Sequence, residues 1–584
     1  MQKTDNVLQW GLLHKDLFGQ QGPFPSNLVN PMHRTLPSTS LFAIVSAAFI
    51  THSFALDGGT LRINAQNGWR AFEVITTGDD PTGDGITWSM PGTFDGLGAT
   101  LPDASTLRVQ VNHENPDTTI SEVNLNLANF KTAISNMISG GATGGGSFVT
   151  SARQAYDRWS DDGGATWTNT TNTSNTNFSR FCSGQSYLPN TFGPGRGFVD
   201  NVYITGEESF GNASFDRLFA LDLDNRDFYQ LSDVAGSASG GIGGMPRDSW
   251  ENAALLDTGE TNHVALLLSP DGGTSTMKIF IGEKGKDANG NPSNDFLARN
   301  GLAYGSYYYL NDVLPASGTS TNGTFDTTAL GALAASKLED VDTSPGNPTR
   351  AVLGNQNFGL FTFDFNLDFG SGAFSAAGSS FSITKIQNDI SNTQGTFGDA
   401  DNVEWSAPTV TNGTAFSDGL IFVNEDNLDG EIWMNAPDGS NLTLIGDTAG
   451  IAGATESTGI LDISHLVGYN PGSILLTNNQ GINSSLSVLI NPDAMLDNAD
   501  FDGDGDRDGA DFLTWQQNFG TGTLQTVGDA QNDGDVDSFD LDVWEQQFGT
   551  PAPPLSALVA LPEPNAIALL VMACACILSL KRKI

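Results

Sequence analysis

Six aspartates, Asp500, Asp502, Asp504, Asp506, Asp508 and Asp511, occupy positions 1, 3, 5, 7, 9 and 12 of one loop, with Gly505 at position 6. Oxygens alternating about a sharp turn give the spacing that wraps Ca2+, which takes roughly six to eight oxygen ligands. The arrangement recurs 529 − 500 = 29 residues later, with Asp529, Gln531, Asp533, Asp535, Asp537 and Asp540 around Gly534. Gln531 still offers a carbonyl oxygen. Each loop runs into an apolar i, i+3, i+7 series, Phe512, Trp515 and Phe519 or Leu541, Trp544 and Phe548, which predicts two short helices packed face to face. Residues 500–549 hold 13 acids against Arg507 alone, so metal is expected to fold the pair.

A second family of acids is scattered through the middle of the chain. Asn112-His113-Glu114, Gly206-Glu207-Glu208, Trp250-Glu251-Asn252, Gly282-Glu283-Lys284, Leu338-Glu339-Asp340, Ala400-Asp401-Asn402 and Asn424-Glu425-Asp426 each follow or begin an apolar run. If the runs are strands that converge, their end carboxylates repel one another and require cations. Cys182 is the one cysteine outside the C-terminal apolar segment. A lone thiol in an exported chain is paired, buried and inert, or a metal ligand, and a thiolate suits a transition metal such as iron. No G-x-S-x-G or P-loop is present, and His113, His263 and His465 are the only histidines beyond residue 55. His113 reads as a structural neighbour of Glu114.

Positioning such acids is work for strands. Runs at 107–112, 122–127, 202–205, 217–222, 264–269, 277–281, 359–365, 420–424, 431–435 and 473–477 alternate with turn signals. With 68 Gly and 35 Phe the class is all-β. Many short strands over about 440 residues exceed one sandwich, and small sheets repeated around an axis protect their edges, so a β-propeller is expected. The net charge, 25 − 67 = −42, repels nucleic acid and favours metal cations.

Leu41–Ile50 is apolar, follows His33 and Arg34 and precedes Ser53-Phe54-Ala55, the pattern of a signal peptide cut after Ala55, with Met32 as an alternative start. Pro562-Glu563-Pro564, the apolar run 566–580 and Lys581-Arg582-Lys583 resemble a PEP-CTERM sorting signal. That signal implies export and a transmembrane C-terminal segment held by its cationic end. The paired loops resemble a dockerin type I, EF-hand-like α-helical calcium module, whose family partner is a cohesin.

In order along the chain, NHE, AYDR (155–158), SRFCSG, YITGEES, WENAAL, IGEKG, LEDV, ADNV and NEDNLDGEIW resemble the PhoX-type alkaline phosphatase family, over about residues 107–491. The resemblance implies a six-bladed propeller that hydrolyses phosphate esters with iron (Fe3+) and calcium. It carries Glu114, Cys182, Glu208, Glu251 and Glu339 onto metal-ligand positions, with Asp401 and Glu425 beside them. The family commonly has Arg-Pro before the acid matching Glu339, where this chain has Lys337-Leu338. Lys337 or Lys284 would then neutralise charge developing on the phosphate next to Glu339.

The expected organisation is a leader to residue 55, a propeller over 56–495, calcium repeats over 496–550, a linker over 551–561 and a sorting tail over 562–584. The expected function is an exported, cell-surface, monomeric phosphatase acting on a phosphate ester. The competing readings are a non-catalytic calcium-braced propeller that binds polysaccharide or protein, and a phosphodiesterase or phytase-like hydrolase.

Overall fold

A computed structural model describes residues 61–549, apart from 82–87, 144–146, 171–177, 209–214, 233–244, 391–392 and 412. The expected leader and sorting tail lie outside the described residues. Among the described residues no helix is long and apolar enough to cross a membrane.

The architecture is an all-β, propeller-like arrangement. Six strands form its interior: β1 (Phe94–Asp103), β2 (Phe181–Tyr187), β3 (Trp250–Leu256), β4 (Leu338–Thr343), β5 (Ala400–Trp405) and β6 (Ala454–Asp462). Each touches the next, and β6 touches β1, so the ring closes. Strands extend outward from each, antiparallel except where Asp227–Gln230 pairs in parallel with Arg158–Ser160. β1 leads a four-stranded sheet, β2 one of six and β5 one of five. β3 and β4 are the two edges of a nine-stranded sheet, joined through its outer strands. β6 is followed by Ile474–Gly481 and Ser485–Ile490, and the N-terminal strand Arg70–Thr76 completes that sheet by pairing with Ser485–Ile490. The start and end of the described body are thereby hydrogen-bonded together, which leaves no open seam.

Each of the ten sequence-read runs falls in a strand or overruns it by one residue, and the cores between sheets are built from their alternate apolar residues, such as Val109, Val111, Val123 and Leu125. Neighbouring sheets approach closely where side chains vanish. A Cβ on Gly96 of β1 would lie 2.5 Å from the Cys182 carbonyl oxygen of β2. One feature departs from the reading: the strand expected to end at Leu127 ends at Asn126, and helix α1 (Leu127–Ile138) follows. Asn126 caps α1 by accepting from Asn129 N at 2.9 Å, and Leu127, Phe130, Ala133 and Ile134 bury its inner face.

Beyond the ring lie α2 (Gly509–Asn518) and α3 (Ser538–Gln547), each preceded by one acidic loop. The loops match in detail. Asp511 accepts from Phe501 N at 2.7 Å and Asp508 N at 2.8 Å, and Asp540 accepts from Ala530 N at 2.6 Å and Asp537 N at 2.7 Å. Gly505 and Gly534 have φ of +96° and +95°, a conformation that glycine alone adopts without strain. The helices exchange contacts: Trp515 Nε1 donates to Asp537 O at 2.6 Å, and Trp544 Nε1 to Asp508 O at 3.0 Å. The expected apolar faces are only partly covered. Phe519 and Phe548 follow the helices, pack edge-on and tilted against Trp515 and Trp544 respectively, and stay exposed.

Candidate metal centre

At one end of the ring the inner strands begin and their neighbours finish. Five inner strands carry a polar ligand type at their second residue: Asp95 in β1, Cys182 in β2, Glu251 in β3, Glu339 in β4 and Asp401 in β5; β6 has Glu456 at its third. A break in register falls at every one of these places, between Phe94 and Leu97, opposite Phe181–Gly184, between Trp250 and Asn252, Leu338 and Val341, Ala400 and Val403, and Ala454 and Glu456. A β-bulge re-aims a side chain locally, and here it turns each one toward the axis. Glu114, Glu208, Asp271 and Asp426 come from the residues just after the adjoining strands.

The result is a cavity of about 350 Å3 lined by nine carboxyl groups, those of Asp95, Glu114, Glu208, Glu251, Asp271, Glu339, Asp401, Asp426 and Glu456, together with Cys182, Arg180, Lys337, Thr93 and Gln480. Two clusters stand out. Glu114, Cys182 and Glu208 bring donor atoms within 4.8 Å of one another, and so do Glu251, Glu339 and Asp401. Cys182 Sγ is 3.5 Å from Glu208 Oε2.

The surrounding polar groups orient these donors. Ser183 donates to Glu251 Oε1 from its N (3.0 Å) and its Oγ (2.6 Å), and Asn402 donates to Ser183 Oγ at 2.8 Å. Gln480 Nε2 donates to Glu114 Oε2 at 2.8 Å and to Asp95 Oδ2 at 3.3 Å, while Arg180 pairs with Glu114 at 3.3 Å. Lys337 Nζ reaches Asp271 at 2.7 Å and Glu339 at 3.3 Å.

Charge is the dominant feature. Burial, and then the neighbouring carboxylates, hold the acids of Asp95, Glu208, Glu339 and Asp401 well above the ordinary range. Burial raises Glu251 to about 7 and, with the hydrogen bond to Asp426, Glu456 to about 11. The Cys182 thiol is pushed up by burial and by Glu251, Glu208 and Glu114. For Lys337 burial works downward, but the attraction of Glu339 and Asp271 outweighs it and holds the ammonium charged. Among the described residues Glu208 Oε1 and Asp271 Oδ1 are buried without a hydrogen-bond partner. The clustered carboxyls, the thiol and the orphaned buried oxygens are able to hold cations: a thiolate with carboxylates suits iron, and an all-oxygen cluster suits calcium.

Of the residues singled out in the sequence, Glu114, Cys182, Glu208, Glu251, Lys337, Glu339 and Asp401 are brought together here. Glu425 and Lys284 are not. Glu425 is buried beneath the rim, where Gly398 N (2.7 Å), Trp433 Nε1 (2.8 Å) and Asn427 Nδ2 (2.9 Å) donate to it. Consecutive strand residues point to opposite sides, so its neighbour Asp426 takes the cavity. Lys284 Nζ instead donates to Gly195 O at 2.8 Å. His113 is fully buried between Gly92 O and Ser121 Oγ, and burial lowers its pKa to about 4. Sequence reasoning missed Asp95, Asp271, Glu456 and Arg180. In the helical module Asp500, Asp502 and Asp504 converge, as do Asp506, Asp508 and Asp511, and Asp529, Asp533 and Asp540. Gln531 donates to Asp533 Oδ2 at 2.9 Å.

No family model and no curated protein matches the chain. Among solved structures it is similar to Pseudomonas fluorescens PhoX in complex with vanadate, a transition state analogue. The identity is 12% over 75% of this chain and 98% of that one, with a TM-score of 0.47. It is also similar to Trypanosoma rangeli sialidase in complex with sialic acid (10% identity, 73% and 59% coverage, TM-score 0.32). A third is Chaetomium thermophilum Sqt1 bound to the N-terminus of the ribosomal protein L10 (11%, 68% and 96%, 0.29).

Proposed function

We propose that the chain is an exported, metal-dependent phosphomonoester hydrolase built on a six-bladed propeller. The observation that carries this reading is the axial cavity, where nine carboxyls and a thiol face two cationic side chains. Counting the nine-stranded sheet as two blades that meet through their outer strands gives one blade per inner strand. The ordered motifs from NHE to NEDNLDGEIW support the phosphatase chemistry over other uses of a cation-filled cavity.

Glu114, Cys182 and Glu208 would hold iron, and Glu251, Glu339 and Asp401 calcium, with Asp95, Asp271, Asp426 and Glu456 completing the ligand supply. Bound there, the ions supply Lewis-acid stabilisation of phosphate oxygens. The chain's own contribution is placement and charge. Lys337, fixed by Asp271 and Glu339, presents a permanent cation to a phosphate oxygen as charge builds there. Arg180, steadied by Glu114, offers a planar donor from the residue before β2. Ser183 and Asn402 keep Glu251 from swinging away.

Residues 496–550 are assigned with this a dockerin-like calcium module, supported by the matched loop hydrogen bonds and the +96° and +95° glycines. Residues 1–55 and 562–584 are assigned the leader and the sorting tail from their sequence patterns.

The test is hydrolysis of 4-nitrophenyl phosphate by protein produced with iron and calcium. Turnover that a chelator abolishes, and that Cys182→Ala lowers at least about tenfold, is expected. A metal-loaded protein without turnover on this ester would remove the phosphatase reading and favour a cation-braced binding propeller. Preference for bis(4-nitrophenyl) phosphate would make it a phosphodiesterase.

A further inference from the structure

Beside the acidic cavity lies a second recess of about 350 Å3 with Leu314, Pro315, Ser336, Phe358, Phe361 and Lys385 in its lining. Its chemistry is the reverse of its neighbour's. The floor is apolar, and the lining carries one cation and no acid. Lys385 Nζ sits 5.5 Å from the Phe361 ring centroid; Asp389 attracts its charge from outside the recess, and no carboxylate lines the recess with it. In a chain of net charge −42, a lysine left in this way is a place where an anionic group is welcome and where few others exist.

The two recesses share a wall. Ser336 lines the cleft and the next residue, Lys337, lines the cavity, so the two linings meet along the chain. The turn that follows Arg350–Asn355 serves both sides. Phe358, 43% exposed, lies in the cleft, while Gln356 Nε2 donates to Asp426 Oδ2 at 2.6 Å on the cavity rim. Asn355 and Asn357 donate to Ser336 O (3.0 Å) and Ser336 Oγ (3.1 Å), which ties the turn to the wall.

We propose that this cleft receives the leaving group, and that the preferred esters carry an apolar or aromatic body with a second anionic substituent. The phosphate enters the cavity beside Lys337, the ring rests on the exposed Phe358, and the second anion meets Lys385. This rests on the phosphatase reading of the cavity. The reaction is hydrolysis: the bond from phosphorus to the leaving oxygen breaks, a bond from phosphorus to a water oxygen forms, and one proton of that water ends on the departing alkoxide or phenoxide. Lys385 and Phe358 are positioning residues, since they touch the part of the substrate that does not react.

The test compares kcat/KM for 4-carboxyphenyl phosphate with that for phenyl phosphate. The ratio is expected to fall at least about fivefold in Lys385→Gln, mainly through KM, and to recover in Lys385→Arg. In Phe358→Ala the preference for phenyl phosphate over glycerol 2-phosphate should narrow about threefold or more. Binding of anilinonaphthalene sulfonate, an apolar anion without phosphate, is read in parallel by fluorescence on the full metal-loaded chain. Turnover with ratios indifferent to Lys385→Gln overturns the cleft assignment and leaves the phosphatase reading standing. Probe binding that Lys385→Gln weakens, in a protein that cleaves no phosphate ester, keeps the cleft as an apolar-anion site and removes the phosphatase reading.

Discussion

Replacing Glu251 with glutamine isolates what the cavity's crowded acids cost when no cation neutralises them. Burial pushes the Glu251 carboxyl to about 7 from an ordinary 4.5, even though Ser183 donates twice to its Oε1. An acid whose folded pKa lies above its unfolded one stabilises the fold below the lower value and loses that contribution as pH rises through the higher, here from 4.5 to 7. The difference, 7 − 4.5 = 2.5, corresponds to about 3 kcal/mol at ~1.36 kcal/mol per pH unit. Unfolding entropy of about 2.1 cal/mol/K per residue over the described chain sums to about 1 kcal/mol/K, so the effect on the midpoint is about 3 °C. Glu251→Gln keeps the acceptor oxygen for Ser183 and removes the charge. In chelator, scanning calorimetry should find the wild-type midpoint dropping about 3 °C further than that of the variant between pH 4.5 and pH 8. Iron and calcium should raise the wild-type midpoint at pH 8 by more than that of the variant, whose helical loops still respond to calcium. Equal drops in the two proteins would refute the view that the cavity's acids are held at a cost that metal relieves.

Three further outcomes are expected. Cys182→Ser exchanges a thiolate ligand for a hydroxyl, so iron retained after dialysis, measured by atomic emission, should fall about tenfold while the calcium content stays nearly level; unchanged iron would remove the thiol from the ligand set. Lys337→Met leaves Asp271 and Glu339 facing each other without their shared cation. Stability in urea should fall by about 2 kcal/mol, moderated because Lys337 is partly exposed, and Lys337→Arg should recover most of it. Asp540→Ala removes the acceptor of Ala530 N and Asp537 N at the head of α3. It should cost about 1–2 kcal/mol and shrink the calcium-induced rise in the full chain's unfolding midpoint; an undiminished rise would place the calcium elsewhere.

The strands were legible because each is a short apolar run between turn signals, and the calcium loops because their spacing is local. α1 escaped notice because its first residue, Leu127, continues the apolar pattern of the preceding strand. The cavity was legible only where an acid sat in a recognisable motif. Asp95 in Thr-Phe-Asp-Gly, Asp271 in a Pro-Asp-Gly turn and Glu456 in Ala-Thr-Glu-Ser-Thr look like ordinary polar residues along the chain. Asp95 and Glu456 sit at a bulge where an inner strand starts and Asp271 just past the end of the strand beside one, and no single segment encodes the convergence of six such starts. Choosing Glu425 over Asp426 shows the same limit: the alternation of a strand says that one faces the axis, and only the sheet's orientation says which. The neighbouring positions of Ser336 and Lys337 likewise acquire meaning only once the bend before β4 places one in each recess.

The central claim is that the axial cavity holds metal ions. Its most direct measurement is the iron and calcium content of the full chain after loading and exhaustive dialysis, set beside that of the Glu251→Gln, Glu339→Gln double variant, in which the helical loops are untouched. The account predicts that the wild type retains at least about one ion per chain more than the variant. Identical metal contents in the two proteins would contradict it.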